Sequence, residues 1–309
     1  MTVLKAKEAL LHEVYVDIRL DKITITLDPP EGSHLQLIAK MKEEAAYYAP
    51  GTKWYRHFAR FPLHELNYKY SDSSRALDLV VCASPRAKNA RFARIEFNPG
   101  RVEAQVPAYY LGAVFGIGWD DVCLGEVTNL HIAVDVHGVP IESLQFHAPK
   151  FQATRVITKN GKTVYVGGAT SARSFCCYDK VAEIRHHNRN VPESLRQEVP
   201  SHPVTRIEAR LKPKVRLAAL CDLANPYRDV TVAALGEGNH LPWYLQLAAK
   251  LADFTSVNAV MPMLPKAQRA EYLALQKKAV PAWWNPTAIW EGFPPLADAL
   301  INPLLAKAA

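Results

Sequence analysis

The 309-residue sequence lacks any unbroken run of about 20 apolar residues, the length a helix needs to cross a bilayer. Its most apolar stretches, such as Val230–Leu235, are short or interrupted by charges. No membrane partner is therefore expected. The first residues carry Glu8 and Glu13 inside their only apolar patch, which argues against a secretory signal. Cysteine is scarce: Cys82, Cys123, Cys176, Cys177 and Cys221 form no Cys-x-x-Cys pair. This excludes a zinc ribbon or dithiol redox pair and points to a reducing, cytoplasmic setting. No repeat of 20–50 residues is visible. Hydrophobic residues make up 49% of the chain, enough apolar surface to exclude a mostly disordered protein.

What is present is positive charge in one place. The net charge is +7, but residues 1–149 sum to −2 and residues 217–309 to zero. Residues 150–216 carry +9 and hold the whole excess. A local basic surface is the footprint expected of a phosphate-backbone binder.

The chain reads as α+β, an antiparallel-sheet body with a helical C-terminal appendage. Period-2 alternation and β-branched content predict strands at 14–18 and 22–27. A helix follows over 34–49 with Ser33 as N-cap. Further strands are predicted at 77–83, 92–97, 127–136, 152–158, 162–166, 174–180 and 204–211. Asn160-Gly161 marks a hairpin. Helices are predicted around 181–197 and over 215–223, 243–252, 266–280 and 296–306. The expected division is an N-terminal α+β half (1–126), a catalytic β-rich half (127–214) and a helical C-terminal region (215–309). Strand–strand–helix–strand order in both halves hints at duplication.

Alternation sorts three strands by face. His131, Ala133 and Asp135 share one face, as do Ser174, Cys176, Tyr178 and Lys180, and as do Arg206, Glu208 and Arg210. Should these faces meet, His131, Asp135 and Glu208 form a hard-to-borderline site for Mg²⁺ or Mn²⁺ beside Tyr178. A phenol with an ordinary pKa of about 10 is only about one-thousandth ionised at neutral pH. A bound cation and Lys180 would favour its ionised form. The ordinary alternatives are a packed strand tyrosine, a cross-strand charge cluster and a core histidine.

The run Thr163–Arg173 (TVYVGGATSAR), followed by Cys177-Tyr178-Asp179-Lys180, resembles the Rep_trans-type replication initiation factor family of rolling-circle plasmids and filamentous phages. Tyr165, Gly167, Ser171, Tyr178, Lys180 and Glu183 fill its Y-x-G-x-x-x-S and Y-x-K places, and Arg206-Ile207-Glu208 its R-x-E. The family's R-x-D-x-A-x-D strand aligns with 129–135, where Asn129 and His131 replace its Arg and first Asp.

The resemblance implies a body distantly HUH-endonuclease-like. It implies a metal-dependent, tyrosine-type nicking–joining enzyme that starts rolling-circle replication at an origin. Tyr178 would be the nucleophile and would retain the 5′-phosphate, with Lys180 and Arg206 neutralising the phosphate. Asp135, Glu208 and His131 would hold the ion, with Glu96 a minor candidate. Arg155, Lys159, Lys162 and Arg173 would contact DNA, as a single-stranded or hairpin nick site. A host helicase and a second copy of the chain are candidate partners. Were Tyr178 not the nucleophile, Tyr165 and Tyr109-Tyr110 come next. The competing readings are a catalytically inactive DNA-binding replication or regulatory protein, and an unrelated soluble enzyme.

Overall fold

The computed structural model describes residues 14–62, 78–151, 154–157, 161–168, 170–189, 191, 193, 196–234 and 241–303. The two strands expected at its start are one long strand, β1 (Tyr15–Leu27), with a register shift between Leu20 and Lys22. Asp21 is the extra residue of that bulge, which bends the strand and shifts its alternation. Leu20 therefore faces the core before the bulge, and Ile23, Ile25 and Leu27 after it. Two runs of opposite parity read as two strands in sequence and form one in space.

β1 leads to α1 (His34–Glu44) and then to a meander of β2 (Tyr47–Ala49), β3 (Tyr55–Pro62), β4 (Asp78–Pro85) and β5 (Ala93–Phe97). Helices α2 (Gln105–Phe115) and α3 (Trp119–Leu124) carry the chain to β6 (Glu126–His137). After the short β7 (Leu144–His147), a second meander comprises β8 (Thr154–Ile157), β9 (Thr163–Val166), β10 (Arg173–Asp179), α4 (Lys180–Asn188) and β11 (Val204–Leu211). β12 (Val215–Arg216) and β13 (Thr231–Ala234) precede α5 (Trp243–Phe254), α6 (Val257–Val260), α7 (Lys266–Lys278), α8 (Pro286–Trp290) and α9 (Phe293–Ile301).

The result is a mixed α+β architecture around one 11-stranded antiparallel sheet, ordered β2-β3-β4-β5-β1-β6-β11-β10-β9-β8, with β12 also on β6. β13 and β7 form a separate pair. The order is mirrored about the β1–β6 pair: each of these strands is flanked by a returning four-strand meander. Residues on both sides of position 126 thus share one sheet, because β1 pairs with β6 along most of its length.

One apolar cluster runs from Leu20 and Ile25 through Ile132 and Ile207 to Phe293 and Leu300, so α8 and α9 pack on the body. Leu245, Ala248, Val257 and Tyr272 form a smaller cluster among α5–α7. The helix expected over 34–49 stops at Glu44, since Tyr47 and Tyr48 pair across to Arg60 and Ala59. Ser33 is its N-cap, its carbonyl accepting from the Leu37 amide at 2.8 Å, but its hydroxyl donates to the Pro30 carbonyl at 2.6 Å rather than capping the helix. The helix expected over 215–223 is β12 followed by a 3₁₀ turn. Helix α2 was not expected from sequence: QVPAYYLGAVF is apolar on nearly every side and shows no helical period.

Candidate metal centre on the polar face of the sheet

Register determines which side chains meet. Across β1, β6, β11 and β10, one row reads Asp17–Asp135–Arg206–Tyr178. The next reads Arg19–Ala133–Glu208–Cys176 and continues to Tyr165 on β9 and Arg155 on β8. A third reads Lys22–His131–Arg210–Ser174. The opposite face of these strands carries Ile23, Ile132, Val134, Ile207 and Cys177, all fully buried in the core. The three ionisable faces expected from alternation therefore lie on one face of one sheet.

Within that face, Asp21, His131 and Glu208 each offer a ligand atom, and these atoms lie within 4.8 Å of one another. Two carboxylates and an imidazole suit Mg²⁺ or Mn²⁺. The Glu208 carboxylate is ionised, as a ligand must be. Burial raises the Glu208 carboxyl, but hydrogen bonds from His131 and Arg210 prevail and bring it down to about 2. His131 Nδ1 is 2.7 Å from Glu208 Oε1, and Arg210 Nε donates to the same oxygen at 2.8 Å.

Asp135, expected among the ligands, is placed otherwise. Arg206 grips it with Nε on Oδ1 at 2.6 Å and Nη2 on Oδ2 at 2.7 Å, and Arg19 approaches at 3.3 Å. Both members of the Asp135–Arg206 pair are buried. Burial pushes the Asp135 carboxyl up, yet Arg206 outweighs it and holds the group below its ordinary value. Arg206 Nη1 also donates to Asp21 at 3.1 Å. Arg206 thereby links the pair to the candidate metal group. Asp21 stands in the candidate group because the bulge turns it onto the polar face. The signal for it in sequence was the lone acid between two strand-like runs of opposite parity.

Tyr178 lies directly across from Arg206 and is half-buried. Burial raises its phenol; Arg206 lowers it, while Glu208, Glu183 and Asp21 raise it further. The hydroxyl is thus a neutral acid at physiological pH. Lys180, the first residue of α4, is buried and donates to Glu183 at 2.5 Å. Burial, reinforced by Arg206, holds it below an ordinary lysine. Arg19, Arg101, Lys180 and Arg206 share the wall of a cavity of about 340 Å³ with Asp21, Asp135 and His137. Arg19 Nε is buried there with no hydrogen-bond partner among the described residues. Glu198 lines the cavity as well; its four cations outnumber its three carboxylates and, with the spare donor, suit a phosphate oxygen.

The predicted DNA contacts separate. Arg155 is exposed, with its guanidinium 5.2 Å from the centre of the Tyr165 ring. Arg173 pairs with Asp229 and lies over Phe151. Lys162 is buried instead: its ammonium donates to the Leu144 carbonyl at 2.8 Å and to Asp253 at 3.1 Å, tying β9 to α5. Its charge is used internally. Lys159 lies outside the described residues. Glu96 sits on the same polar face in the other half of the sheet, held by Lys22 at 2.5 Å and by Arg94. No described helix is long and apolar enough to cross a membrane.

No protein-family model matches the chain, and no curated protein matches it. Among solved structures, it is similar to a rolling circle replication initiator protein from Geobacillus stearothermophilus. The two are 14% identical, the similarity covers 77% of this chain and 85% of that one, and the TM-score is 0.36.

Proposed function

We propose that this protein is a metal-dependent DNA nicking–joining enzyme of the rolling-circle initiator type, with Tyr178 as nucleophile and Asp21, His131 and Glu208 as metal ligands. The observation that carries this reading is the shared face: Tyr178 stands opposite Arg206, which bridges Asp135 to Asp21 of the candidate metal group. A divalent ion held there would polarise the scissile phosphate and neutralise its charge. Arg19, Arg101 and Lys180 would orient the phosphate from the cavity wall. The Tyr178 oxygen attacks phosphorus, the bond from phosphorus to the 3′ oxygen breaks, and the phenolic proton ends on the released 3′ hydroxyl through solvent. Asp135 acts on Arg206, keeping it aligned. The phosphotyrosyl bond conserves the energy needed to rejoin the ends.

The test is incubation with Mn²⁺ and a pool of 3′-labelled single-stranded oligonucleotides, followed by denaturing electrophoresis. Labelled protein is expected from the wild type and none from Tyr178→Phe. An adduct that survives in Tyr178→Phe moves the nucleophile elsewhere, to Tyr165 first. The raised Tyr178 phenol favours a second reading, a DNA-binding protein without cleavage, which predicts Mn²⁺ binding and DNA binding but no adduct at any pH.

A further inference from the structure

The far wing of the sheet, at β2–β3, has a chemistry that the charge sums conceal. Segment 47–62 holds Lys53, Arg56 and Arg60 and no carboxylate. Segment 79–94 adds Arg86 and Lys88, while its Arg91 and Arg94 are paired with Asp28 and Glu96. Acids elsewhere in 1–149 hide this wing in any average over that half.

Rings are interleaved with these cations. Tyr47 is 55% exposed and Trp54 63%. The Arg60 guanidinium lies 5.8 Å from the Tyr47 ring centre and 5.3 Å from that of Phe58, and its Nε has no hydrogen-bond partner among the described residues. The Lys53 ammonium lies 5.0 Å from the Trp54 ring centre. Arg56, Phe58 and Arg60 share one face of β3 by alternation, and Tyr47 pairs with Arg60. Cross-strand register carries that face through Val80 and Glu96 to Thr24 of β1, two residues beyond Lys22. It is therefore the same face that bears the candidate metal group; three strand spacings, about 14 Å, separate β3 from β1, the strand of Asp21.

The loop that presents Trp54 is built rather than slack. Thr52 Oγ1 accepts from the Trp54 and Tyr55 amides at 3.2 and 3.1 Å. Arg86 donates through its amide to the Trp54 carbonyl at 2.9 Å and through Nε to the Thr52 carbonyl at 3.1 Å. Gly51 has φ +133°, and a Cβ there would meet the Tyr55 carbonyl oxygen at 2.8 Å. The opposite wing has a matching pair, Arg155 over Tyr165, at the mirrored place in the strand order.

We propose that the β2–β3 wing is a binding platform for single-stranded nucleic acid, with bases stacking on Trp54, Tyr47 and Phe58 and phosphates meeting Lys53, Arg56, Arg60 and Arg86. Exposed rings beside cations fit unpaired bases, whose faces a duplex keeps stacked. This inference needs neither metal nor Tyr178, so it stands or falls apart from the nicking reading.

The experiment uses the full chain carrying Tyr178→Phe, in EDTA, with a fluorescent oligo-dT of about 30 nucleotides followed by anisotropy. Trp54→Ala with Tyr47→Ala is expected to weaken binding at least about tenfold, as removal of a stacking platform does. Arg56→Ala with Arg60→Ala is expected to make the log–log salt slope shallower by about 1.4, near 0.7 for each phosphate no longer neutralised. Bromodeoxyuridine crosslinks are expected on the peptide holding Trp54. All four side chains reach the surface, and unchanged melting temperatures will show that the variants fold. Unchanged affinity and slope in folded variants overturn the proposal. So does a duplex that competes as well as oligo-dT, or crosslinks confined to the Arg155–Tyr165 wing.

Discussion

Arg206 and Asp135 face each other in adjacent strands, joined by two hydrogen bonds of 2.6 and 2.7 Å and buried. The pair sits between Tyr178 and Asp21, so whatever chemistry this face performs is organised around a fixed guanidinium. Its cost and use can be measured.

Breaking the pair leaves a buried charge unmatched. Asp135→Asn or Arg206→Ala is expected to destabilise the protein by about 3–5 kcal/mol, read from urea denaturation. Asp135→Asn combined with Arg206→Met should recover part of that stability, because the surviving charge is then gone. No recovery would show that other contacts, such as that to Asp21, dominate.

Metal affinity separates Asp21 from Asp135, the acid expected from alternation. Asp21→Ala, His131→Ala and Glu208→Gln are each expected to weaken Mn²⁺ binding at least about tenfold in calorimetric titration, since each removes a ligand of the hard-to-borderline set. Asp135→Asn should bind the ion with an affinity close to that of the wild type once folded. The opposite order would restore Asp135 as a ligand.

Acid stability follows from Glu208. Its folded pKa is about 2 against an ordinary 4.5. A carboxyl depressed on folding contributes fully above its unfolded value and loses that contribution as pH falls toward the folded one. The wild type should therefore lose roughly 3 kcal/mol through this group between pH 4.5 and 2. Glu208→Gln should be less stable at pH 7 and should show a flatter profile across that window. Parallel profiles would remove Glu208 from the account.

Burial raises the Tyr178 phenol, so the reactive anion is scarce at neutral pH. If the nicking reading holds, adduct formation should accelerate with pH, about tenfold per unit while the pH stays below the phenol's pKa. A rate independent of pH between 7 and 9 would mean that proton removal does not limit the step.

Arg155 and Lys162 were grouped by sequence, and the structure divides them. Arg155→Ala should make the salt dependence of oligonucleotide binding shallower by close to one phosphate contact. Lys162→Met should leave the slope unchanged and lower stability instead, by removing the ammonium that joins the Leu144 carbonyl and Asp253. Equal effects on the slope would return Lys162 to the DNA surface.

By itself the sequence determined the faces. Alternation in 127–136, 174–180 and 204–211 set Ile132, Val134 and Ile207 against the core and His131, Asp135, Tyr178, Arg206 and Glu208 on the other side, because a strand's side-chain period is local. Clustered Lys and Arg in 150–216 were equally plain. What the tertiary structure decided was pairing. Asp135 meets Arg206 and Asp21 meets the His131–Glu208 pair because of a one-residue bulge and two inter-strand registers, joining residues more than 70 positions apart. Lys162 is buried because α5 returns over β9 from 90 residues away, and the basic aromatic wing at β2–β3 exists because a strand replaced the end of an expected helix. None of these follows from a local period, since each depends on which distant strand or helix supplies the neighbour.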